Sequence, residues 1–446
     1  MSHLAALKNF RVIDETTDLR GSVIVEDGRI AEIIPAPDTF PENIEGEKRL
    51  DRFCAGAGLV LDGLAFLPRG IRDPGELPVL MPAFVDLHAH FRDPGFPEKE
   101  TLESACLAAA AGGYGTAVCM ANTNPVTDTV ARAAELRRRA AGLGLIDLYP
   151  ALSLTKNMEG KELSEITRLP GSAPEGPEDG GFRARLLSED GKDLADDGLF
   201  LAACAEARRA GVPVSCHCDL GGENAATRRA IAMAASSRCH IHIAHVSTKE
   251  AAAMIREAKS RPIGALTISC EVTPHHLALV RKDADALGGE SRGRVNPPLR
   301  DKEDRRVLIA AAADGTVDAI ATDHAPHTEK DKEAGAPGFT GLETAFAVCY
   351  SILGASGLGL SKLSSLMSAA PARILGLAGG GEGRGRIAPG LRADFCIADT
   401  RGTWTVDPAA LKSRGKNSPF AGRELRGAVL MTIHGGRIVF DGRDNV

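Results

Sequence analysis

The chain has 446 residues, 43% hydrophobic and 25% charged, which fits a globular protein with room for one large domain and an appendage. Its net charge of −6 leaves no basic footprint for nucleic acid, and 4% aromatics leaves little base-stacking surface. No stretch approaches ~20 unbroken apolar residues, and the opening residues carry no apolar run behind a basic head, so neither a membrane span nor a signal peptide is expected.

The first segment, "GSVIVEDGRIAEIIP" (21–35), alternates around a turn at Asp27-Gly28 and reads as short strands. The middle of the chain is different. Eight apolar runs follow one another: 79–91, 114–123, 145–154, 182–191, 212–218, 239–247, 265–276 and 317–326. Between them lie Ala-rich stretches such as "ESACLAAAAGG" and "KEAAAMIREAKS", several closing on Gly, which read as helices. A Pro/Gly-rich loop is expected at 169–182, and 377–390 reads as a linker. The last runs, 392–407 and 429–442, match the first segment in style. Eight β-α units predict a TIM (β/α)8 barrel, and the two ends predict a small β-sandwich formed from both termini. The expected limits are 1–80 and 385–446 for the sandwich and 81–384 for the barrel. Ten scattered cysteines form no Cys-x-x-Cys pair and are expected as buried thiols in a reducing cytoplasm.

Polar residues gather where the apolar runs end. His88, His90, Asn122, Asp190, His217, His245 and Asp323 all fall there, and in a barrel those ends meet at one mouth. His88 and His90 share a strand face because side chains alternate. In "SCHCDL" the same alternation gives His217 to one face and Cys216 and Cys218 to the other, so His217 is read as a ligand and the cysteines as packing. If His245 points inward so do Ile241 and Ile243, which sends His240 and His242 toward the helices. Asp323 opens "DHAPH". An Asp there also makes a helix N-cap, but a buried carboxylate is costly unless a metal or a proton role resolves the cost. Asp190 in "SEDG" would be a surface turn residue except for its place after the fourth run. Four histidines and two aspartates exceed the needs of one tetrahedral ion with a water. Two Zn²⁺ sharing a bridging carboxylate and hydroxide fit better and suit hydrolysis of an amide-like bond. Arg92 is the usual type of partner for a substrate carboxylate.

"VDLHAHFRDPG", "NTNPVTDT", "HVSTKE", "VTPHHLAL", "NPPLRDKEDR", "ATDHAPHTEKDK", "GLETAF" and "GKNSPFAG" together resemble the bacterial class I dihydroorotases of the amidohydrolase superfamily, from about Val79 to the C-terminus. That resemblance implies reversible cyclisation of N-carbamoyl-L-aspartate to (S)-dihydroorotate, in the synthesis of pyrimidines. It implies one zinc on His88, His90 and Asp323 and a second on His217 and His245. Asp190 would bridge them where many relatives carry a carbamylated lysine. Arg92, Asn122 and His327 would hold the substrate carboxylate. Asn296 and the main chain near Pro337 and Gly338 would contact the ring, and Asp323 would shuttle the proton. A homodimer and an association with aspartate transcarbamoylase are the expected partners besides the small-molecule substrate. A hydantoinase or allantoinase is the rival enzyme, and a non-catalytic scaffold for the transcarbamoylase is the rival of another class. The chain departs from the family pattern at Ala83, at Ala121, at "CDLGGEN" after His217, and in a short span between His217 and His245. "HTEKDKEAGAPGFTG" after the eighth run is expected to be a mobile lid.

Overall fold

The computed structural model describes residues 4–36, 44–56, 58–67, 77–171, 182–261, 268–379 and 383–443. Most of the expected loop at 169–182, and part of the expected linker at 377–390, lie outside those residues.

Both ends of the chain build one sheet. Its strands are β1 (Leu4–Ile13), β2 (Asp18–Glu26), β3 (Arg29–Pro35), β4 (Leu59–Asp62) and β5 (Val79–Pro82) from the N-terminal side. From the C-terminal side come β14 (Phe395–Thr405), β15 (Glu424–His434) and β16 (Arg437–Asp441). The order is β16-β15-β14-β5-β1-β2-β3, with β4 beside β1. Leu7, Phe10, Val23, Ile30, Leu80, Phe395, Ile397 and Met431 form a shared core on which the sheet folds as a sandwich. The turn expected at Asp27-Gly28 joins β2 to β3, with φ of 49° and 73°, the left-handed pair that a tight hairpin of this hand requires.

The middle of the chain forms eight parallel strands: β6 (Phe84–Ala89), β7 (Tyr114–Cys119), β8 (Asp147–Pro150), β9 (Leu187–Ser188), β10 (Val214–Cys216), β11 (Ile241–Ile243), β12 (Ile268–Val272) and β13 (Ala319–Ile320). They pair in sequence as β6-β7-β8 and β9 to β13. Parallel bridges Leu152↔Leu187 and Ala89↔His324 join the two groups into a closed TIM barrel. The first apolar run is therefore two strands. Pro82 ends β5 in the terminal sheet, and Ala83 turns the chain into β6, its N–H donating to Asp394 O at 3.0 Å. The Ala83 methyl faces Gly115, where a Cβ would stand only 2.9 Å from it, so a neighbour without a side chain accommodates the departure.

The expected helices form over Leu102–Ala111, Val130–Leu143, Asp197–Ala210, Lys249–Ser260 and Lys302–Asp314. Thr101, Thr129, Asp196, Thr248 and Asp301 cap their N-termini, and Gly144, Gly211 and Gly315 close three of them in the left-handed region. A further helix, Glu223–Ser237, fills the short span between His217 and His245. Between β8 and β9 only short turns at Lys156–Met158 and Glu165–Arg168 are described.

Barrel and sandwich meet over an ionic seam at the N-terminal end of the strands. Asp147 accepts from Arg384 and from Arg392 at 2.7 Å, and Arg392 lies 3.2 Å from Asp394. His434 completes a group of ligand types with Asp147 and Asp394. The two guanidinium groups already supply the positive charge there, so the seam needs no metal.

Candidate metal centre and substrate mouth

Side-chain parity along the barrel strands decides what reaches the mouth. In β6, Val85 and Leu87 share the barrel interior with Val118, Met120, Ala319 and Ala321. The register against β7 shifts between Asp86 and Ala89, so the strand bulges there. The bulge resets the alternation: Ala89 turns to the strand–helix layer, and His88 and His90 turn inward. Asp86 stitches the bulge to the end of β13, accepting from His88 N–H at 3.2 Å and from Thr322 N–H at 3.0 Å and Oγ1 at 2.5 Å.

The six expected ligands converge. Asp190 Oδ1 lies 3.0 Å from His88 Nε2, and its Oδ2 lies 3.7 Å from His90 Nε2. Asp323 Oδ1 lies 3.1 Å from His90 Nε2 and 3.6 Å from His88 Nε2. The ring of His217 is 4.4 Å from that of His245, which is 5.2 Å from that of His88. Two compact donor groups result, His88-His90-Asp190 and Asp190-His217-His245, with Asp190 common to both. Arg92, Cys218, His245 and Asp323 all hold positive φ, at 57°, 62°, 31° and 46°, as the chain leaves β6, β10, β11 and β13. Such strained turns persist where surrounding structure fixes them, and they gather at functional sites.

The electrostatics suit cation ligands. Burial alone would raise the Asp190 carboxyl, but His90, His88 and His217 hold it well below the usual carboxylate range. Burial likewise would raise Asp323, and His90, His88 and His245 pull it below its ordinary value. Burial, with His217 and His88 close by, pushes His245 down to about 3, so it is neutral. Both of its ring nitrogens are buried without a hydrogen-bond partner among the described residues, a costly state that a metal ion resolves. An all-nitrogen-and-oxygen donor set with no cysteine suits zinc.

One expectation fails. His240 and His242 do not face the helices, both meeting Ser269 Oγ at 2.8 Å; Ile241 and Ile243 do, in the layer with Ala251 and Ile255. β11 stops at Ile243, and His245 has the positive φ noted above, so alternation counted through the strand end arrives with the wrong parity. His242 instead sits inside the barrel, its Nε2 3.0 Å from Glu271 Oε2 and its Nδ1 2.8 Å from Ser269 Oγ. Glu271 is the functional residue the sequence reading missed. It meets His88 Nδ1 at 2.9 Å and accepts from His245 N–H at 3.3 Å, so it orients two ligands at once. The signal was present: Ser269, Glu271 and Thr273 alternate through an apolar run, the mark of an inward polar column. Glu271→Gln is expected to lower both metal affinity and kcat/KM by about 10- to 100-fold. Metal titration alongside steady-state kinetics checks this, and an unchanged metal affinity would refute the orienting role.

The other expected site residues surround the same mouth. Asp93 pairs with Arg139 at 2.7 Å, not with Arg92. Arg92 Nε donates to Pro326 O at 3.3 Å, and its Nη2 lies 3.3 Å from His327 Nε2. His327 Nε2 also sits 3.0 Å from Pro337 O. Burial and the nearby Arg92 charge lower His327 to about 3, so the ring is neutral, and its Nε2 faces both Arg92 and Pro337 O. The Asn122 amide is committed to the ligands, its Nδ2 donating to Asp190 at 2.8 Å and its Oδ1 facing His90 Nδ1 at 3.1 Å. Asn296 Nδ2 donates to Asp219 Oδ2 at 2.8 Å, and that oxygen lies 3.2 Å from His217 Nδ1. The "CDLGGEN" departure thus supplies a carboxylate beside His217. Gly338, at φ 126°, lets the main chain pass Ala325, whose methyl would stand 2.5 Å from a Cβ there.

The segment expected as a lid is held at its base. Lys332 is buried, and its ammonium donates to Arg294 O, Ala336 O and Gly338 O at 2.8, 2.8 and 2.9 Å. Lys332→Met would leave Ala336 O without its donor and take the charged one of two donors from Arg294 O and Gly338 O, which keep Gly338 N–H and Asn417 Nδ2, and a loss of about 3 kcal/mol of stability is expected. Urea unfolding midpoints check it; a midpoint unchanged from the wild type would show that the segment holds itself.

The amidohydrolase family profile matches residues 79–439. The chain belongs to the amidohydrolase family. It is 38% identical to the dihydroorotase of Clostridium botulinum, over 97% of this chain and 98% of that one. It is 37% identical to the dihydroorotase of Anaeromyxobacter dehalogenans, over 99% of each. By family this amidohydrolase is an enzyme, a cyclic amide hydrolase. Among solved structures, L-hydantoinase from Arthrobacter aurescens superposes with a TM-score of 0.77 at 23% identity, over 98% of this chain and 96% of that one. The dihydropyrimidinase of Brevibacillus agri gives 0.76 at 19%, over 99% and 96%. Those two likenesses speak for the fold, a barrel with a sandwich. No helix among the described residues is long and apolar enough to cross a membrane.

Proposed function

We propose that this amidohydrolase is a zinc-dependent dihydroorotase, interconverting N-carbamoyl-L-aspartate and (S)-dihydroorotate in pyrimidine synthesis. The observation that carries the reading is a half-buried arginine beside the paired donor groups, Arg92, with no carboxylate partner among the described residues. Its relatives named dihydroorotase over nearly the full length support the same substrate.

His88, His90 and Asp323 would hold one zinc and His217 and His245 the other, with Asp190 shared. Bound there, the ions would acidify a water and polarise the ring carbonyl. Arg92 and His327 would clamp the carboxylate, with Asn122 reaching it from its place against His90 and Asp190. Asn296 and the main chain at Pro337 and Gly338 would flank the ring. Asp323, held ionised, would take a proton from the attacking water and give it to the ring nitrogen as the C–N bond breaks. In the cyclising direction it would take that proton back from the carbamoyl nitrogen.

In the same reading residues 81–384 are the catalytic unit, and the cytoplasmic working form is a homodimer able to associate with aspartate transcarbamoylase. The test is an assay of the zinc-loaded protein on carbamoyl aspartate and dihydroorotate beside hydantoin and allantoin. Turnover confined to the first pair is expected. Faster turnover of hydantoin or allantoin, or no turnover of the first pair at full zinc occupancy, would overturn the assignment.

A further inference from the structure

At the opposite end of the barrel, where β9, β10 and β11 begin, lies a cavity of about 430 Å³. Arg183, Arg185, Arg208, Arg238 and Arg373 line it together with His240, and no acidic side chain appears among its described lining residues. This is an unusual gathering in a chain whose net charge is −6.

Local needs account for part of it. Arg373 pairs with Glu15 at 2.7 Å. Arg208 and Arg238 sit at the C-terminal ends of helices Asp197–Ala210 and Glu223–Ser237, where cations are favoured whatever binds. Arg183 and Arg185 lead into β9 and sit at no helix end. Arg185 Nη1 reaches Gly376 O at 3.3 Å, and its Nε is buried with no acceptor among the described residues. Burial, with Arg183 among the neighbouring charges, lowers the Arg185 pKa, so the guanidinium is held against its own preference. A buried donor without an acceptor and uncancelled like charges both cost stability, and an arriving anion relieves both.

We propose that this cavity binds the phosphate group of a small phosphorylated molecule. Guanidinium forks match phosphate oxygens in pairs. The volume lies within the range of small-ligand pockets, roughly 300–1,000 Å³, and exceeds what a bare phosphate fills. The site is remote from the metal centre and does not depend on the reaction assigned there.

Isothermal calorimetry on the zinc-loaded full chain tests it, with inorganic phosphate and a nucleoside monophosphate as probes. One saturable site per chain is expected, with a Kd of about 1 mM or below for at least one probe. Tighter binding of the monoester supports the proposal, and equal or tighter binding of inorganic phosphate assigns the site to the free anion and overturns it. Affinity should fall about 10-fold or more, or ~1.4 kcal/mol, in Arg185→Gln. The double variant Arg208→Gln/Arg238→Gln changes only exposed side chains, should fold normally, and should weaken binding similarly. No saturable binding of either probe, or binding that survives both sets of substitutions, overturns the proposal; the latter would place the anion at the metal centre.

Discussion

On the two-zinc dihydroorotase reading proposed above, replacing Asp190 with alanine is expected to lower dihydroorotate turnover by about 10,000-fold or more, and to drop the metal content from the proposed two ions per chain to one or none. Asp190 is common to both donor groups and is the only member they share. Its loss would leave the buried histidines around it without their shared negative charge, which in a buried site costs about 3–5 kcal/mol. The neighbour in the same Glu-Asp-Gly turn is an internal control. Glu189 is also buried, but it accepts from Leu154 N–H at 2.9 Å, Thr155 N–H at 3.0 Å and the Thr155 hydroxyl, away from the donor groups. Glu189→Gln should therefore lower stability and leave the metal content at two. Elemental analysis of the two purified variants separates the cases. An Asp190→Ala protein that keeps two ions and near-normal turnover would sink the shared-ligand reading, and with it the proposed mechanism.

The contrast between those adjacent acids shows what the sequence could reveal and what it could not. The barrel was legible because eight apolar runs alternate with Ala-rich helices whose glycine ends and Thr or Asp caps follow local rules. The sandwich was legible because turn chemistry at Asp27-Gly28 is local too. The convergence of the candidate donor residues was legible because they stand where the strands end, and strand ends meet at one mouth. Parity was not. Alternation holds only while a strand holds, and a bulge in β6 and a break after Ile243 each reverse it. His88 and His90 were placed inward for an incomplete reason, since the bulge rather than continuous alternation puts them there. His242 was placed outward for the same kind of reason, and wrongly. Glu271 and Lys332 act through contacts with residues 183 positions away, as Glu271 does with His88, or with main-chain carbonyls, as Lys332 does. No local pattern announces such partners.

Arg92→Ala should raise KM for both substrates far more than it lowers kcat, for a combined loss in kcat/KM of about 100- to 10,000-fold. Two hydrogen bonds from a guanidinium to a carboxylate contribute about 3–6 kcal/mol when neither partner has another. Among the described residues Arg92 has no carboxylate partner. It reaches a carbonyl and an imidazole but no carboxylate, while Asp93, which might have neutralised it, is taken by Arg139 through two bonds of 2.7 and 3.0 Å. Its charge is therefore kept for something that arrives. Arg92→Lys keeps the charge and loses the fork, so it should recover only part of the affinity. The decisive comparison uses a substrate whose free carboxylate is replaced by a carboxamide. The wild-type enzyme should reject that analogue strongly, and the alanine variant should treat the two nearly alike, because the group that told them apart is gone. If Arg92→Ala discriminates as sharply as the wild type, Arg92 serves the loop at Pro326 and His327 rather than the substrate. The carboxylate clamp would then have to be sought among the donors at Asn296 and Gly338.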